Sequence, residues 1–496
     1  MKMKNSILIS GLHFLVLLFI PYSVHGQGIY IGGGGNMIIT GGANIQIKDG
    51  NFINDGTYTK GTETVSFSGT TAQTISGAST INMNNLSVTN TGGLTTQLTL
   101  LTAANLSISS GSKFTIPAGK AVTVSTALTN NSGSAAGLVV ESGVASNGSL
   151  IQPTTGVSAT VQRYLTKGVW HVISIPVSGQ PIGSFVSDVN NYIGYNATTT
   201  DWGMMPYDPA NNNWASYFRT ATAGNLKVGE GYMIRRKTSV PTGGIVTATG
   251  ALQAGNFTVT GLTAGKWNCI GNPFTSAVSV TTESALASDF LNTNAALLDG
   301  IYGAIYVWDE KTDYTGPLRS DYKVISNNGY NPSLAKTDLQ VGQGFLVKMA
   351  FDATTLNFTS AMQSHLVTET YLKKSASSWP GFDLVATSSD LSINTIVSFN
   401  EAMTAGLDPT YDAGVLKGNP KLALYTRLVE DNGTGFSIQC LPLIGIDVFV
   451  IPVGIDFPSG GEISFTAKAE LIPPGSTVIL EDRMNGTFTN LVTNQA

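Results

Sequence analysis

Leu98-Thr99-Leu100, Leu106-Ser107-Ile108, Phe114-Thr115-Ile116 and Val122-Thr123-Val124 follow closely on one another, each an apolar residue, a polar one and an apolar one. Alternation with period two places every second side chain on one face of an extended chain, which is the pattern of a half-buried strand. Upstream lie Met37-Ile38-Ile39, Ile45-Gln46-Ile47, Val65-Ser66-Phe67 and Leu86-Ser87-Val88, parted by Gly, Asn and Ser. No such run buries a core alone. Stacked as rungs, each gains a neighbour above and below and turns its alternate side chains into a shared apolar interior. This predicts a parallel β-solenoid stalk over residues 27–161; a pair of ordinary sandwiches with Greek-key turns is the rival arrangement.

Composition agrees with β structure. Of 496 residues only 11% are charged, against about 25% in an average domain, while Gly, Ser, Thr and Asn abound, as tight turns require. The formal charge is −5, from 26 basic and 31 acidic residues, with no basic block. Nothing here would neutralise a row of phosphates, so nucleic acid is not an expected partner.

Lys2 and Lys4 precede an apolar run from Ile7 to Ile20, and Val24-His25-Gly26 leads into Gln27. This is the charge, core and small-residue exit of a signal peptide, predicted to be residues 1–26. The apolar run is shorter than the ~20 residues that span a bilayer, and no later segment is continuously apolar for that length. The expected location is therefore outside the cell, secreted or at the cell surface, with no transmembrane segment. Cys269 and Cys440 are the only cysteines and fall in different expected domains, which gives a disulfide little support.

An internal echo organises the middle of the chain. Leu226-Lys227-Val228-Gly229-Glu230-Gly231-Tyr232-Met233-Ile234 returns as Leu339-Gln340-Val341-Gly342-Gln343-Gly344-Phe345-Leu346-Val347. Upstream of each copy stands Trp-x-x-Ile-x-x-Pro, at Trp170 to Pro176 and at Trp267 to Pro273. The reading is a duplicated β domain over residues 162–374, with copies at about 162–250 and 251–374. Each copy is expected to carry a short helix (near 183–189 and 282–291, with Thr281 or Thr282 capping the second), an aromatic strand and a glycine-bracketed strand whose glycines permit a bulge or positive φ. Beyond the Ser375 to Ser378 linker, residues 375–496 contain about seven strand-like runs, as a C-terminal β-sandwich would. The fold class is thus all-β.

The search for chemistry assigns no catalytic, cofactor-binding or metal-binding residue and no cofactor. A solenoid lyase needs clustered carboxylates or a calcium site beside a base, whereas Asp49, Asp55, Glu63 and Glu141 are scattered and no His occurs there. The Gly-x-Gly motifs run into strands and not into a phosphate-binding helix. Asp208 to Asn213 and Asp408 to Asp412 offer oxygen ligands, but Asx residues in such stretches ordinarily make turn hydrogen bonds. Trp170 and Trp267 begin apolar strands and are expected in the core in preference to stacking on sugars. His171 and His365 lack partners at triad or zinc spacing, and Ser174 stands in no nucleophile elbow.

The string Trp267-Asn268-Cys269-Ile270-Gly271-Asn272-Pro273-Phe274, with Ile305-Tyr306-Val307-Trp308-Asp309, Gly342-Gln343-Gly344-Phe345 and Met362-x-x-His365, resembles the repeated surface domains of large secreted Bacteroidota proteins, many of them cargo of the type IX secretion system. The likeness runs from about residue 160 to the end. It implies an adhesin-like surface protein; no C-terminal sorting domain follows Val478-Ile479-Leu480-Glu481-Asp482, where the resemblance would place one. The expected function is a non-enzymatic secreted or cell-surface structural and adhesion protein, with extracellular polysaccharide or a surface protein as partner. A carbohydrate-binding protein, or a polysaccharide lyase or hydrolase on the solenoid, is the alternative.

Overall fold

The computed structural model describes residues 6–9, 28–240, 244–281, 289–308, 322–328, 338–367, 379–388, 391–416, 421–429, 433–443, 448–472 and 476–492. Strand makes up 48% of it and helix 5%, and a β-solenoid of about six turns stands at its N-terminal end. The solenoid's two long sheets are parallel. One stacks Ile29–Ile31, Phe52–Asn54, Gln73–Ser76, Leu94–Thr96, Phe114–Ile116, Leu138–Val140 and Ser158–Tyr164; the other stacks Asn44–Lys48, Thr64–Ser68, Ile81–Val88, Leu100–Ile108, Ala121–Asn130 and Ser149–Ile151. On the first rung, Asn36–Ile39 also pairs with the backbone of Ser6–Ile9; the rest of the expected signal peptide lies outside the described residues.

The alternation read from the sequence is what fills the interior. Val65, Phe67, Leu86, Val88, Leu106, Ile108, Phe114 and Ile116 are all buried in one continuous cluster. The run Leu98-Thr99-Leu100 is the exception: it turns the corner between Leu94–Thr96 and Leu100–Ile108, with Leu98 still pointing inward. Polar residues tie each rung to the next. Asp49 accepts from the backbone of Thr70 and Thr71, Asn51 from Thr74 and Asp55 from Ala78, partners 21–23 residues apart.

No gap separates stalk from head. Ser158–Tyr164 straddles the boundary expected at residue 161: it pairs parallel with Leu138–Val140 on one side and antiparallel with Ile245–Leu252 on the other. The other long sheet ends against Thr275, which exchanges hydrogen bonds with Leu150 through both its carbonyl and its hydroxyl. Both sheet edges at this end are thereby paired, and an unpaired edge would template association with other chains.

Two four-stranded antiparallel sheets follow. Their orders are Trp170–Ser174, Gly231–Arg235, Met204–Asp208, Asn213–Trp214 and then Trp267–Gly271, Gly344–Lys348, Ile305–Trp308, Tyr322–Ile325. The first expected helix is Ile182–Ser187; the second is Phe290–Asn294, whose cap is Asp289 and not the expected Thr281 or Thr282, because the Asp289 carboxylate accepts from Asn292 N. Residues 282–288, Asp309 and the 375–378 linker lie outside the described residues. The C-terminal region builds a sheet of seven strands from Gly381 to Leu471. One face packs Ile396, Ile438 and Cys440 against Trp170, Trp267 and Tyr306 of the middle sheets, and the other packs Leu384 and Leu424 with Leu491 beside the hairpin Ile479–Asp482 and Thr487–Asn490.

Candidate functional site

The two echoed motifs meet each other. Within each copy the Trp strand pairs with its own glycine strand in one register, Trp170 opposite Arg235 and Ser174 opposite Gly231, Trp267 opposite Lys348 and Gly271 opposite Gly344. Across the copies the contacts are reciprocal: Glu230 bridges Ile270, and Gln343 bridges Ile173. The Gly271 amide donates to Gly229 O and the Ser174 amide to Gly342 O, both at 3.0 Å. Such mutual contact is the geometry of a two-fold interface, here inside one chain. It accounts for both glycines of each motif. Gly229 and Gly342 have φ of 78° and 67°, where side chains are strained. A Cβ on Gly231 would stand 2.4 Å from Cys269 Sγ, and one on Gly344 would stand 2.8 Å from Ile173 O.

Beside this interlock a cleft of about 270 Å³ opens where the two middle sheets and the C-terminal region converge, lined by Asn212, Trp267, Tyr302, Val415, Leu416 and Thr434. Trp267 is 8% exposed and is gripped edge-on by Tyr302 and Tyr306, at centroid distances of 5.3 and 4.8 Å. The Tyr306 hydroxyl donates to Gly414 O at 2.6 Å, which ties the C-terminal sheet to this wall. Tyr302 is held by two amide bonds to Asp299 from its own segment and by Lys348, whose ammonium lies 4.3 Å from its ring centre and 3.1 Å from Asp299. Burial, with Asp299 adding to it, raises the Tyr302 pKa, so the phenol stays neutral. Asn212, at φ 51°, accepts from the Tyr207 hydroxyl.

The remaining residues singled out by sequence fall as follows. Trp170 is buried against Tyr217, and its carbonyl accepts from Trp308 Nε1 at 2.8 Å. Asp208 accepts from Ala210 N and Asn211 Nδ2, and Asp408 accepts from Thr404 N and Oγ1. Asp412 accepts from Asp408 N and Cys440 N, and burial pushes its pKa up to about 7. Asp208 and Asp408 serve their own turns, whereas Asp412 also ties its turn to the strand Phe436–Leu441. Cys269 and Cys440 are buried free thiols, their pKa values raised by burial. Ser174 donates its hydroxyl to Asn272 O, and His171 Nε2 lies 2.8 Å from Thr166 O. Among the described residues, no three of His, Cys, Asp and Glu gather closely enough to hold a metal ion.

Two arrangements gave no sequence signal. Glu63 is buried in the stalk, accepting from Tyr58 Oη, Gly61 N and Asn84 N at 2.8–2.9 Å. His365 lies between Thr123 Oγ1 and Ser149 Oγ, each at 2.7 Å, and burial lowers its pKa to about 4. Ser149 is 1% exposed, and both imidazole nitrogens face hydroxyls. The group therefore acts as a strut joining head to stalk, since a nucleophile needs access and a base oriented by a third group.

The chain matches, over residues 48–495, the family described as Domain of unknown function (DUF8693), and it belongs to that family. No curated protein and no solved structure matches it. No helix among the described residues is long and apolar enough to cross a membrane.

Proposed function

We propose that this chain is a secreted or cell-surface structural and adhesion protein, without catalytic activity, whose solenoid stalk carries a β head that binds an extracellular polysaccharide or a surface protein. The observation that supports this most is the junction. Ser158–Tyr164 belongs at once to the stalk sheet and, through Ile245–Leu252, to the head, so force on one is borne by backbone ladders in the other. The signal-peptide pattern of residues 1–26 and the resemblance to secreted Bacteroidota surface proteins point the same way. The carbohydrate-binding alternative would need aromatic faces open to a ligand, whereas Trp267 is 8% exposed and packed in the core.

The test is to apply the purified chain to immobilised polysaccharides and peptides, with and without calcium, following both retention and release of products. Retention without turnover is expected. Turnover abolished by one Asp or Glu substitution would overturn the reading in favour of a lyase or hydrolase. Secreted material should begin at Gln27; an N-terminus still at Met1 would remove the support from the leader.

A further inference from the structure

We infer that the base of the stalk, the rung from Ile29 to Lys48, is an interaction surface that pairs with the base of a second copy of this chain. The inference goes beyond the adhesion reading and takes one premise from it, that export removes residues 1–26. The two ends of the stalk differ. At the far end both long sheets are met by the head, whereas among the described residues Ile29–Ile31 and Asn44–Lys48 have a neighbouring strand on one side only. Asn36–Ile39, the third strand of this rung, is covered by Ser6–Ile9, which departs with the leader.

Backbone direction shows what this end offers. The Ile29 amide donates to Asn51 O and the Ile31 carbonyl accepts from Asp55 N, both on the second rung; Ala43 O and Asp49 N are likewise engaged by Thr64 N and Ser68 O. Because successive residues of a strand turn their amides and carbonyls to opposite sides, those of Tyr30 and of Asn44, Gln46 and Lys48 face the open end. The pairing of Ser6–Ile9 shows that the remaining strand accepts a partner there. The apolar interior is open at the same place. Ile29, Met37 and Ile45 are only half-buried, while Phe52 and Val65, which stand above Ile29 and Ile45 in register, are 0% exposed. A stack of repeats ordinarily ends in a cap with a polar outer face.

The residues choose the occupant. From Gln27 to Ile47 there is no Asp, Glu, Lys, Arg or Pro, and Lys48 is the first charge; Lys and Pro are what sheet edges ordinarily use to deter pairing. Identical copies carry identical charge, so a neutral edge is one on which like meets like without repulsion. A single extended peptide would pair one strand and leave the other edges and the apolar centre open. A second base presents three edges and an apolar centre of matching size. A two-fold axis between the bases runs facing strands antiparallel and closes the contact at two copies.

The experiment is sedimentation of the full secreted chain, its N-terminus checked at Gln27, over a range of concentration, with hydrogen exchange at the two extremes. A concentration-dependent dimer is expected, in which the amides of Tyr30, Ile38 and Gln46 gain protection. Gln46→Pro deletes an amide that faces the open end and should weaken the dimer by more than about tenfold. Ile38→Lys, at an exposed side chain, adds a charge to the edge and should weaken it too, most at low salt. Thermal melts matching the parent's show that each variant is folded, and if Gln46→Pro is not, Ile38→Lys decides. A chain still monomeric at about 100 µM, assemblies larger than a dimer, a dimer indifferent to both substitutions, or base amides protected equally at every concentration would each overturn the inference. An N-terminus still at Met1 would remove its premise. Retention of a monomeric chain on an immobilised polymer would leave the adhesion reading standing without the pairing, and a dimer retained on nothing would do the reverse.

Discussion

The solenoid and the interlocked pair of middle sheets are both β structure, yet they are held by contacts of different range. In the solenoid a side chain reaches the next rung, 21–23 residues away. In the pair, Ser174 Oγ reaches Asn272, 98 residues on, and Trp308 reaches Trp170 across 138 residues. A rung is therefore specified by its own alternation plus a neighbour much like itself, and damage to it should stay near it. A residue of the pair is specified by a partner that the local sequence does not announce, and damage should spread through both sheets and the C-terminal face they support.

The largest expected effect compares two buried aromatics. Trp267→Ala in the pair and Phe67→Ala in the stalk should each cost about 3–5 kcal/mol, but hydrogen exchange should separate them. Phe67→Ala is expected to raise exchange in rungs near Thr64–Ser68, and Trp267→Ala across Trp170–Ser174, Gly231–Arg235 and Gly344–Lys348 together. Identical exchange maps would break the comparison. Next in size is the acid response of the strut. His365 has its pKa lowered from 6.5 to about 4, so its contribution is present above pH 6.5 and lost as pH falls through 4, up to about 3 kcal/mol. Asp412, raised from 3.8 to about 7, has the opposite sign, with stability present below 3.8 and lost as pH rises through 7. Denaturant midpoints from pH 7 to 4, parent minus His365→Gln, isolate the histidine; parallel curves would show that it does not couple head to stalk.

Gly344→Ala should cost about 1–3 kcal/mol, because the added Cβ meets backbone that cannot turn aside. Gly231→Ala, whose nearest obstacle is the Cys269 side chain at 2.4 Å, should regain part of its loss when combined with Cys269→Ala. Strict additivity in that double-mutant cycle would count against the reciprocal contact. The smallest effect belongs to the stalk: Asn105→Ala removes one inter-rung bond, to Asn85 at 2.8 Å, and should cost about 1 kcal/mol. Urea midpoints measure it, and a loss as large as that of Gly344→Ala would contradict the local character of the rungs.

Legibility followed the range of the contacts. Val65-Ser66-Phe67, Leu106-Ser107-Ile108 and Phe114-Thr115-Ile116 could be read as strands because their burial depends on period-two alternation, which any window displays. The shorter rung strands Phe52–Asn54 and Gln73–Ser76 passed unread, since their inward residues include the amides Asn54 and Gln73. The repeated Leu-x-Val-Gly-x-Gly string showed that two segments are alike and that their glycines matter; it did not show that each glycine makes room for the other copy. The contacts of His365 and the cleft left no trace in the sequence, because the strut joins residues 216 and 242 positions apart and the cleft is lined from five separate stretches.

By itself, then, the sequence determined the all-β class and the presence of two matching strand motifs, and favoured a stacked stalk over a pair of sandwiches, all properties carried by side-chain alternation and short-range spacing. Tertiary structure alone decided that Ser158–Tyr164 welds stalk to head, that the matching motifs lock reciprocally, and that Trp267, Tyr302, Asn212 and Thr434 share one cleft. The physical reason is that alternation dictates which face of a strand is buried, whereas the partner across that face is chosen by packing between segments a hundred or more residues apart, for which no local pattern exists.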